Sequence, residues 1–421
     1  MHVVYRRTCR VCGSPCLTEV IDLGEQYLQG SFIKPGKELP PMRKIPTSLV
    51  RCDPRRDEKA CGLLQLSQTL PPEILYSAYW YRSGTNQTMR EHLKGIAEEA
   101  TRIIGRDAVR VLDIGCNDGT LLSYYPRGFE KLGIDPSDVA QDVPAEIKVI
   151  HGLFPSEEIT ESAKGKPFDI ITSIAMFYDL EDPVDFVQNV KRSLADNGVW
   201  CLELSYMPSM LTLGSYDTIC QEHLEYYSLA VLEYILARAA MKIIKADLND
   251  INGGSIRCYA THRNNFAFKG IERQAQPVLA ALRLKEFEME LDSDKPYREF
   301  QDCINILRHE LISVVTQIKS QGGKIHLYGA STKGNTILQF CGLDKTIIDY
   351  AAERNPDKFG ARTLGTDIPI ISEAESRAMR PDYYLVLPWH FKKEFLERER
   401  ETLKQGTGMI FPLPKVEVVR A

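Results

Sequence analysis

The sequence predicts an α/β protein of three units: a small cysteine-bearing lobe over residues 1–75, a doubly wound parallel sheet over 76–270, and a second α/β unit over 271–421. Three observations carry that prediction. Strand-like and helix-like patterns alternate over 109–204, which argues a parallel sheet with helices on both faces. The amino-terminal stretch is loop-rich and holds two separated cysteine pairs. The strand, glycine turn and helix pattern then recurs from residue 324 onward. A chain of 421 residues also exceeds one ordinary core.

In the lobe, Cys9 and Cys12 form a C-x-x-C knuckle, and Cys52 and Cys61 make a second pair. So small a unit buries little core without a staple, so the four thiols are expected to hold a structural Zn²⁺ in a closed tetrahedral site. The residues D-P-R-R-D-E-K-A separate Cys52 from Cys61, a longer spacer than a zinc ribbon normally has; this charged loop is expected to bulge outward. Cys16 is a spare thiol or a substitute ligand. Leu63, Leu64 and Leu66 read as a strand closing the lobe, and Pro71 and Pro72 as a helix start. Tyr76, Tyr79, Trp80 and Tyr81 then cluster, either as a packed junction or as a wall for a sugar or base; Tyr76, Tyr79 and Tyr81 are the candidate substrate contacts.

The central unit turns on V-R-V-L-D-I-G-C-N-D-G, residues 109–119. Its apolar run reads as a buried strand that breaks into a turn carrying Asp113, Gly115, Asn117, Asp118 and Gly119. Gly115 lets a ligand approach the backbone, and Gly119 lets the next helix pack closely. K-L-G-I-D-P-S puts Asp135 at the end of the following strand, where an acidic side chain grips a ribose diol. The turn is not a full G-x-G-x-x-G, and Asn117 and Asp118 would oppose a phosphate. Such groups suit a cationic, phosphate-free cofactor that carries an amino acid, which describes S-adenosylmethionine.

Farther on, F-D-I-I-T-S-I is a strand whose following loop, with Ala175, Met176, Phe177 and Tyr178, opens at the same sheet edge and lines the cofactor pocket. The box S-Y-D-T-I-C-Q-E-H-L-E-Y-Y-S follows the fifth strand and is too polar for a core helix. Its His223 suits proton abstraction near neutral pH; Glu222 or Glu225 orients it, raises its basicity, or is itself the base. Asn252 opens a tight N-G-G-S turn into an alternating strand and brings polar groups over the same pocket.

Residues 281–320 are charged and helical, with Phe300, Cys303, Ile304, Leu307, Leu311, Val314, Val315 and Ile318 on one face. The strand K-I-H-L-Y then runs into G-A-S-T-K-G-N, either a plain strand–helix turn or a phosphate seat with Lys333 as counter-charge and Asn335 beside it. I-I-D-Y-A-A-E and P-D-Y-Y-L-V-L-P-W-H supply two further strands. With no second cofactor fingerprint, this unit is assigned to substrate.

Composition is that of an ordinary globular protein, 43% hydrophobic and 26% charged, and a net charge of −5 offers no basic surface to nucleic acid. The sequence shows no 18-residue apolar stretch and no apolar h-region behind M-H-V-V-Y-R-R-T-C, so a cytoplasmic place and no membrane partner are expected. Eleven cysteines, among them Cys116, Cys201, Cys258 and Cys341 in apolar segments, fit a reducing compartment.

In order, the cysteine pairs with C-G-L-L-Q-L, S-G-x-x-x-x-M-R-E-H-L, L-D-I-G-C-N-D-G, Q-E-H-L-E-Y-Y-S, N-G-G-S and Y-G-A-S-T-K-G resemble the sugar-nucleotide C-methyltransferases. The resemblance spans nearly the whole chain, and the order of the motifs makes it specific. It implies a zinc-binding lobe, a class I Rossmann-like S-adenosylmethionine domain, and a carboxyl-terminal Rossmann-like domain that helps hold an NDP-4-keto-deoxyhexose. It further implies that a base removes the proton beside the keto group, with His223 as that base and Glu222 its neighbour, in a monomer or homodimer making a branched-chain sugar. Two departures bear on the identity of the sugar and the carbon methylated: Cys220 stands where relatives have tyrosine, and Asp179 where they have histidine. Methylation of oxygen or nitrogen on a sugar nucleotide, and non-catalytic binding of one, are the alternatives.

Overall fold

Seven strands make the central sheet, in the order Met241–Asn249, Ser255–His262, Leu194–Ser205, Phe168–Ile174, Arg110–Ile114, Glu130–Asp135, Lys148–His151. The computed structural model describes residues 3–71, 74–75 and 81–420. The last five strands in that order run parallel and the first two add antiparallel, as a hairpin through the N-G-G-S turn. Every residue of Arg110–Ile114 is buried, because helices cover both faces of a parallel sheet. From this strand the chain winds one way through Glu130–Asp135 and then returns to the other side through Phe168–Ile174. The reversal opens a crevice at the carboxyl ends of the strands.

Helix Gln87–Ile104 closes one face of this sheet. Asn86 caps it by accepting from the Met89 amide, and Gly105 ends it in the left-handed region. Its Met89, Leu93, Ile96, Ala97 and Ala100 pack on Val111, Ile170, Val199 and Cys201. On the opposite face Phe177, Phe186 and Trp200 meet Cys9, Val11, Cys52 and Leu63 of the lobe.

The lobe is an antiparallel sheet in the order Glu225–Tyr226, Leu64–Leu66, Ile45–Cys52, Leu17–Gln26. Its first strand comes from the central unit, immediately after His223; the expected strand near Leu64 is present, but this partner was not foreseen. The carboxyl-terminal sheet has six strands, in the order Ile370–Ser372, Tyr350–Glu353, Ile325–Tyr328, Tyr383–Val386, Gly408–Phe411, Glu417–Val419. The three expected strands are there, and the other three are additions. Helix Lys295–Ser320 buries Phe300, Ile304, Leu307, Leu311, Val315 and Ile318, the predicted face. These side chains share one apolar core with Leu49, Leu64 and Leu66 of the lobe and Met207 and Met210 of the central unit. Each such fully buried side chain contributes about 1.5–3 kcal/mol.

Candidate active site

The glycine turn sits at the crevice. Gly115 has a φ of +75°, and a Cβ there would stand 3.2 Å from Met176 Cγ. Gly119 has a φ of +73° and caps the short helix Thr120–Tyr124; a Cβ would meet Val143 at 2.8 Å and Pro144 at 3.3 Å, so the close approach is to the loop at Val143 and Pro144 rather than the expected packing of the next helix. Asp135 is buried at the end of its strand, where its carboxylate accepts from the Asn117 amide at 2.9 Å and the Ser137 amide at 2.8 Å. Asp113, beneath the turn, accepts from Thr172 Oγ1 at 2.5 Å, and burial pushes its carboxyl up to about 7. Ala175 is held at a φ of +55° where the Phe168–Ile174 strand turns toward the crevice, its amide donating to the Glu203 carbonyl.

Asn117 and Asp118 also reach back to the chain segment before helix Gln87–Ile104. Asn117 donates to the Tyr81 carbonyl at 3.1 Å and accepts from the Ser83 amide at 2.9 Å, while Asp118 accepts from the Gly84 amide at 2.7 Å. Residues 81–84 therefore lie across the glycine turn. Tyr81 is at that crossing, whereas Tyr76 and Tyr79 fall outside the described residues. The cradle fits S-adenosylmethionine: two positive-φ glycines and a buried acid at the second strand's end.

The loop after strand Phe168–Ile174 joins this turn to the polar box. Met176 covers Gly115, and two residues on the Tyr178 ring packs edge-on to the His223 ring at 4.4 Å. His223 Nδ1 lies 2.6 Å from the Thr218 carbonyl. A carbonyl only accepts, so Nδ1 carries the proton and Nε2 keeps its lone pair. Desolvation, aided by the Lys333 charge, lowers the imidazole to about 3, so it stays neutral at physiological pH but is a weaker base than the ordinary imidazole that the sequence suggested. Burial raises Glu222 to about 7 against the pull of Lys358. Its carboxylate passes over Gly30, whose missing side chain makes room for it.

Cys220, one of the two departures, is buried in this loop cluster, and Asp179, the other, is half-buried there. Burial and the neighbouring Glu222 and Glu225 carboxyls push Asp179 well above its usual range, and its Oδ1 has no hydrogen-bond partner among the described residues. Burial and the nearby Glu222 likewise raise the Cys220 thiol.

The carboxyl-terminal unit supplies the cations. Lys333 is half-buried beside Asp217 and His223, its Nζ donating to the Asn252 carbonyl at 2.8 Å; desolvation lowers it and Asp217 pulls it back up. Asn252 thus contributes its backbone oxygen, at a φ of +56°, and Trp389 packs against the next residue, Gly253. Asn335 donates to the Gln29 carbonyl at 2.6 Å, while its Oδ1 is buried without a hydrogen-bond partner among the described residues. The structure therefore brings Lys333, Asn252, His223 and Glu222 to one junction of all three units. Gly30, Thr218 and Lys358 were missed: a lone glycine, a backbone carbonyl and a lysine in D-K-F-G carry no periodic or motif signal.

The four predicted cysteines form one cluster, every sulfur within 4.8 Å of the others, with Cys9–Cys61 at 3.5 Å and Cys12–Cys52 at 3.4 Å. Four thiols so placed fit tetrahedral Zn²⁺ and leave no open position. Cys16 is not among them; its sulfur faces the Arg56 carbonyl. The long Cys52–Cys61 spacer folds as a turn pinned by Ser14 donating to Asp57 at 2.5 Å.

Family models match three consecutive stretches: a zinc binding domain over residues 9–76, a methyltransferase domain over 78–246 and a C-methyltransferase C-terminal domain over 250–414. C-methyltransferase NovU of Streptomyces niveus is 26% identical over 418 residues, 98% of this chain and 97% of that one. The ubiquinone biosynthesis O-methyltransferase of Pasteurella multocida (strain Pm70) is 26% identical over 34% of this chain and 73% of its own length. Among solved structures, magnesium protoporphyrin IX methyltransferase from Synechocystis PCC 6803 is 13% identical, with a TM-score of 0.31 over 41% of this chain and 79% of that one.

Proposed function

This chain belongs with the S-adenosylmethionine-dependent C-methyltransferases that carry a zinc-binding amino-terminal domain, and we propose that it methylates a ring carbon of an NDP-4-keto-deoxyhexose in making a branched-chain sugar. One observation carries the reading: a half-buried, neutral imidazole with Nδ1 anchored on the Thr218 carbonyl and Nε2 left as acceptor. Methylation at carbon needs such a base, because a C–H bond must be broken to free an electron pair; oxygen and nitrogen already hold one.

When bound, S-adenosylmethionine supplies an electrophilic methyl group. His223 Nε2 takes the proton from the carbon beside the keto group, leaving the electron pair on that carbon and negative charge on the keto oxygen. Glu222, raised to about 7, is partly protonated at neutral pH and donates toward that oxygen. Lys333 adds positive charge, and Asn335, Asn252 and Tyr81, with Tyr76 and Tyr79, hold the sugar nucleotide. Asp113, Gly115, Asn117, Asp118, Gly119, Asp135 and Ala175 form the cofactor cradle, with Asp135 on the ribose diol. The division at residues 75 and 270 belongs to the same proposal, as does a cytoplasmic, monomeric or homodimeric enzyme. All eleven cysteines are unpaired, which supports a reducing compartment. Among the described residues no helix is long and apolar enough to cross a membrane.

The test is deuterium exchange from solvent into a panel of NDP-4-keto-deoxyhexoses without S-adenosylmethionine, followed by product analysis with it. Exchange at one carbon, a methyl group on that carbon, and a loss of roughly 10²-fold or more in His223→Ala are expected. Near-normal exchange in that variant removes His223 as the base; a methyl group on oxygen or nitrogen removes the carbon reading.

A further inference from the structure

Arg10 stands between two of the clustered cysteines, yet its side chain is fully buried and points toward the central unit. Its guanidinium donates to Gln65 Oε1 at 3.1 Å, the Leu66 carbonyl at 2.8 Å, the Gln68 carbonyl at 3.1 Å and Thr69 Oγ1 at 2.6 Å. On the other side its Nε lies 3.4 Å from Glu181 Oε2 and 3.7 Å from Glu225 Oε1. Glu181 follows the loop that holds Tyr178, and Glu225 is two residues beyond His223. The Glu225 side chain is wholly buried, and among the described residues neither of its oxygens has a hydrogen-bond partner; Arg10 is a cation that faces it.

The backbone completes the link. Gln65 pairs with Glu225 across the lobe's sheet, the Leu66 amide donates to the Leu224 carbonyl at 2.8 Å, and the Leu224 amide donates to the Tyr178 carbonyl at 2.7 Å. The two loops that frame His223 are therefore fastened to each other and to the strand that Arg10 grips. A guanidinium presents five donors in a rigid fork, so it fixes several segments at once where an ammonium holds one point.

We propose that Arg10 is a positioning residue for His223: the zinc knuckle fixes its base, and its fork clamps strand Leu64–Leu66, Glu181 and Glu225 so that the imidazole faces its substrate. In this arrangement Zn²⁺ held by Cys9, Cys12, Cys52 and Cys61 would fix the backbone at Arg10 and take no part in the chemistry. The inference rests on His223 being the base.

Full-length, zinc-loaded Arg10→Met and Arg10→Lys proteins test it, through zinc stoichiometry, S-adenosylmethionine affinity by calorimetry, and the exchange and turnover assays above. Displacement of a base by about 1 Å costs on the order of 10²-fold, so kcat and exchange in Arg10→Met should fall 10- to 100-fold together. Zinc content, cofactor affinity and KM should stay within about twofold of wild type. Arg10→Lys should lie between the two, and it decides alone if Arg10→Met does not fold. Wild-type turnover in either variant overturns the proposal, as does activity lost only in step with zinc. If His223→Ala abolishes exchange while Arg10→Met exchanges normally, this inference fails and the base assignment stands; if His223→Ala exchanges normally, the base assignment fails first.

Discussion

Replacing Gly30 with alanine plants a methyl group where the Glu222 carboxylate now lies. The new Cβ would stand 1.7 Å from Oε1, 2.8 Å from Cδ and 3.4 Å from Oε2. Non-bonded atoms settle near about 3.5 Å, so Oε1 must retreat by roughly 2 Å. Gly30 is not among the positive-φ glycines, so its backbone accepts alanine and the clash with Glu222 is the whole perturbation. Overpacking of this kind costs about 1–3 kcal/mol of stability. Its larger effect falls on chemistry: an acid displaced by more than about 1 Å should lower kcat on the order of 10²-fold. The assay is a cycle of Gly30→Ala, Glu222→Ala and the double variant, each measured for kcat and for melting temperature. With the carboxylate already gone, the added methyl meets open space and the double variant should match Glu222→Ala. Wild-type kcat in Gly30→Ala would separate Glu222 from the mechanism, and full additivity in the double variant would show that the methyl acts on something else.

The pH profile should single out Glu222. Its carboxyl is raised to about 7, so the donating form is present at lower pH and is lost as pH rises through about 7; kcat/KM should fall there, and the limb should vanish in Glu222→Gln. His223 is lowered to about 3, so no inflection from it should appear near 6.5, and finding one that disappears in His223→Ala would contradict its burial. Cys12→Ser should abolish the one bound Zn²⁺ and lower the melting temperature; a zinc-to-chain ratio still at one by metal analysis would refute the four-cysteine site.

What the sequence made legible was local. The turn at Gly115 and Gly119, Asp135 one strand later, and the two cysteine pairs each announce themselves within a short window, and the structure assembles them as expected. The histidine box was visible through its polarity after the fifth strand. The groups that set its behaviour were not, because Thr218 acts through a backbone carbonyl and Gly30 through an absent side chain. Strand Glu225–Tyr226 was missed for a different reason: two residues carry no period, and their partner at Leu64 is remote in the chain. Strands Ile370–Ser372 and Glu417–Val419 were likewise too short to read. Asn117 and Asp118, expected at the cofactor, turned out to bind the chain at Tyr81, Ser83 and Gly84, a contact that local pattern does not encode.

The apolar core that runs from Ile21 through Met207 and Phe300 to Leu413 gives the three sequence units a common fate. A cut near residue 270 would leave raw apolar faces on both fragments, so neither should survive as a stable domain. Recombining the carboxyl-terminal third with that of a relative would not be a cassette exchange; it would require redesigning the lobe that packs beneath it. A new specificity would therefore come more readily from side chains around the junction than from exchanged segments.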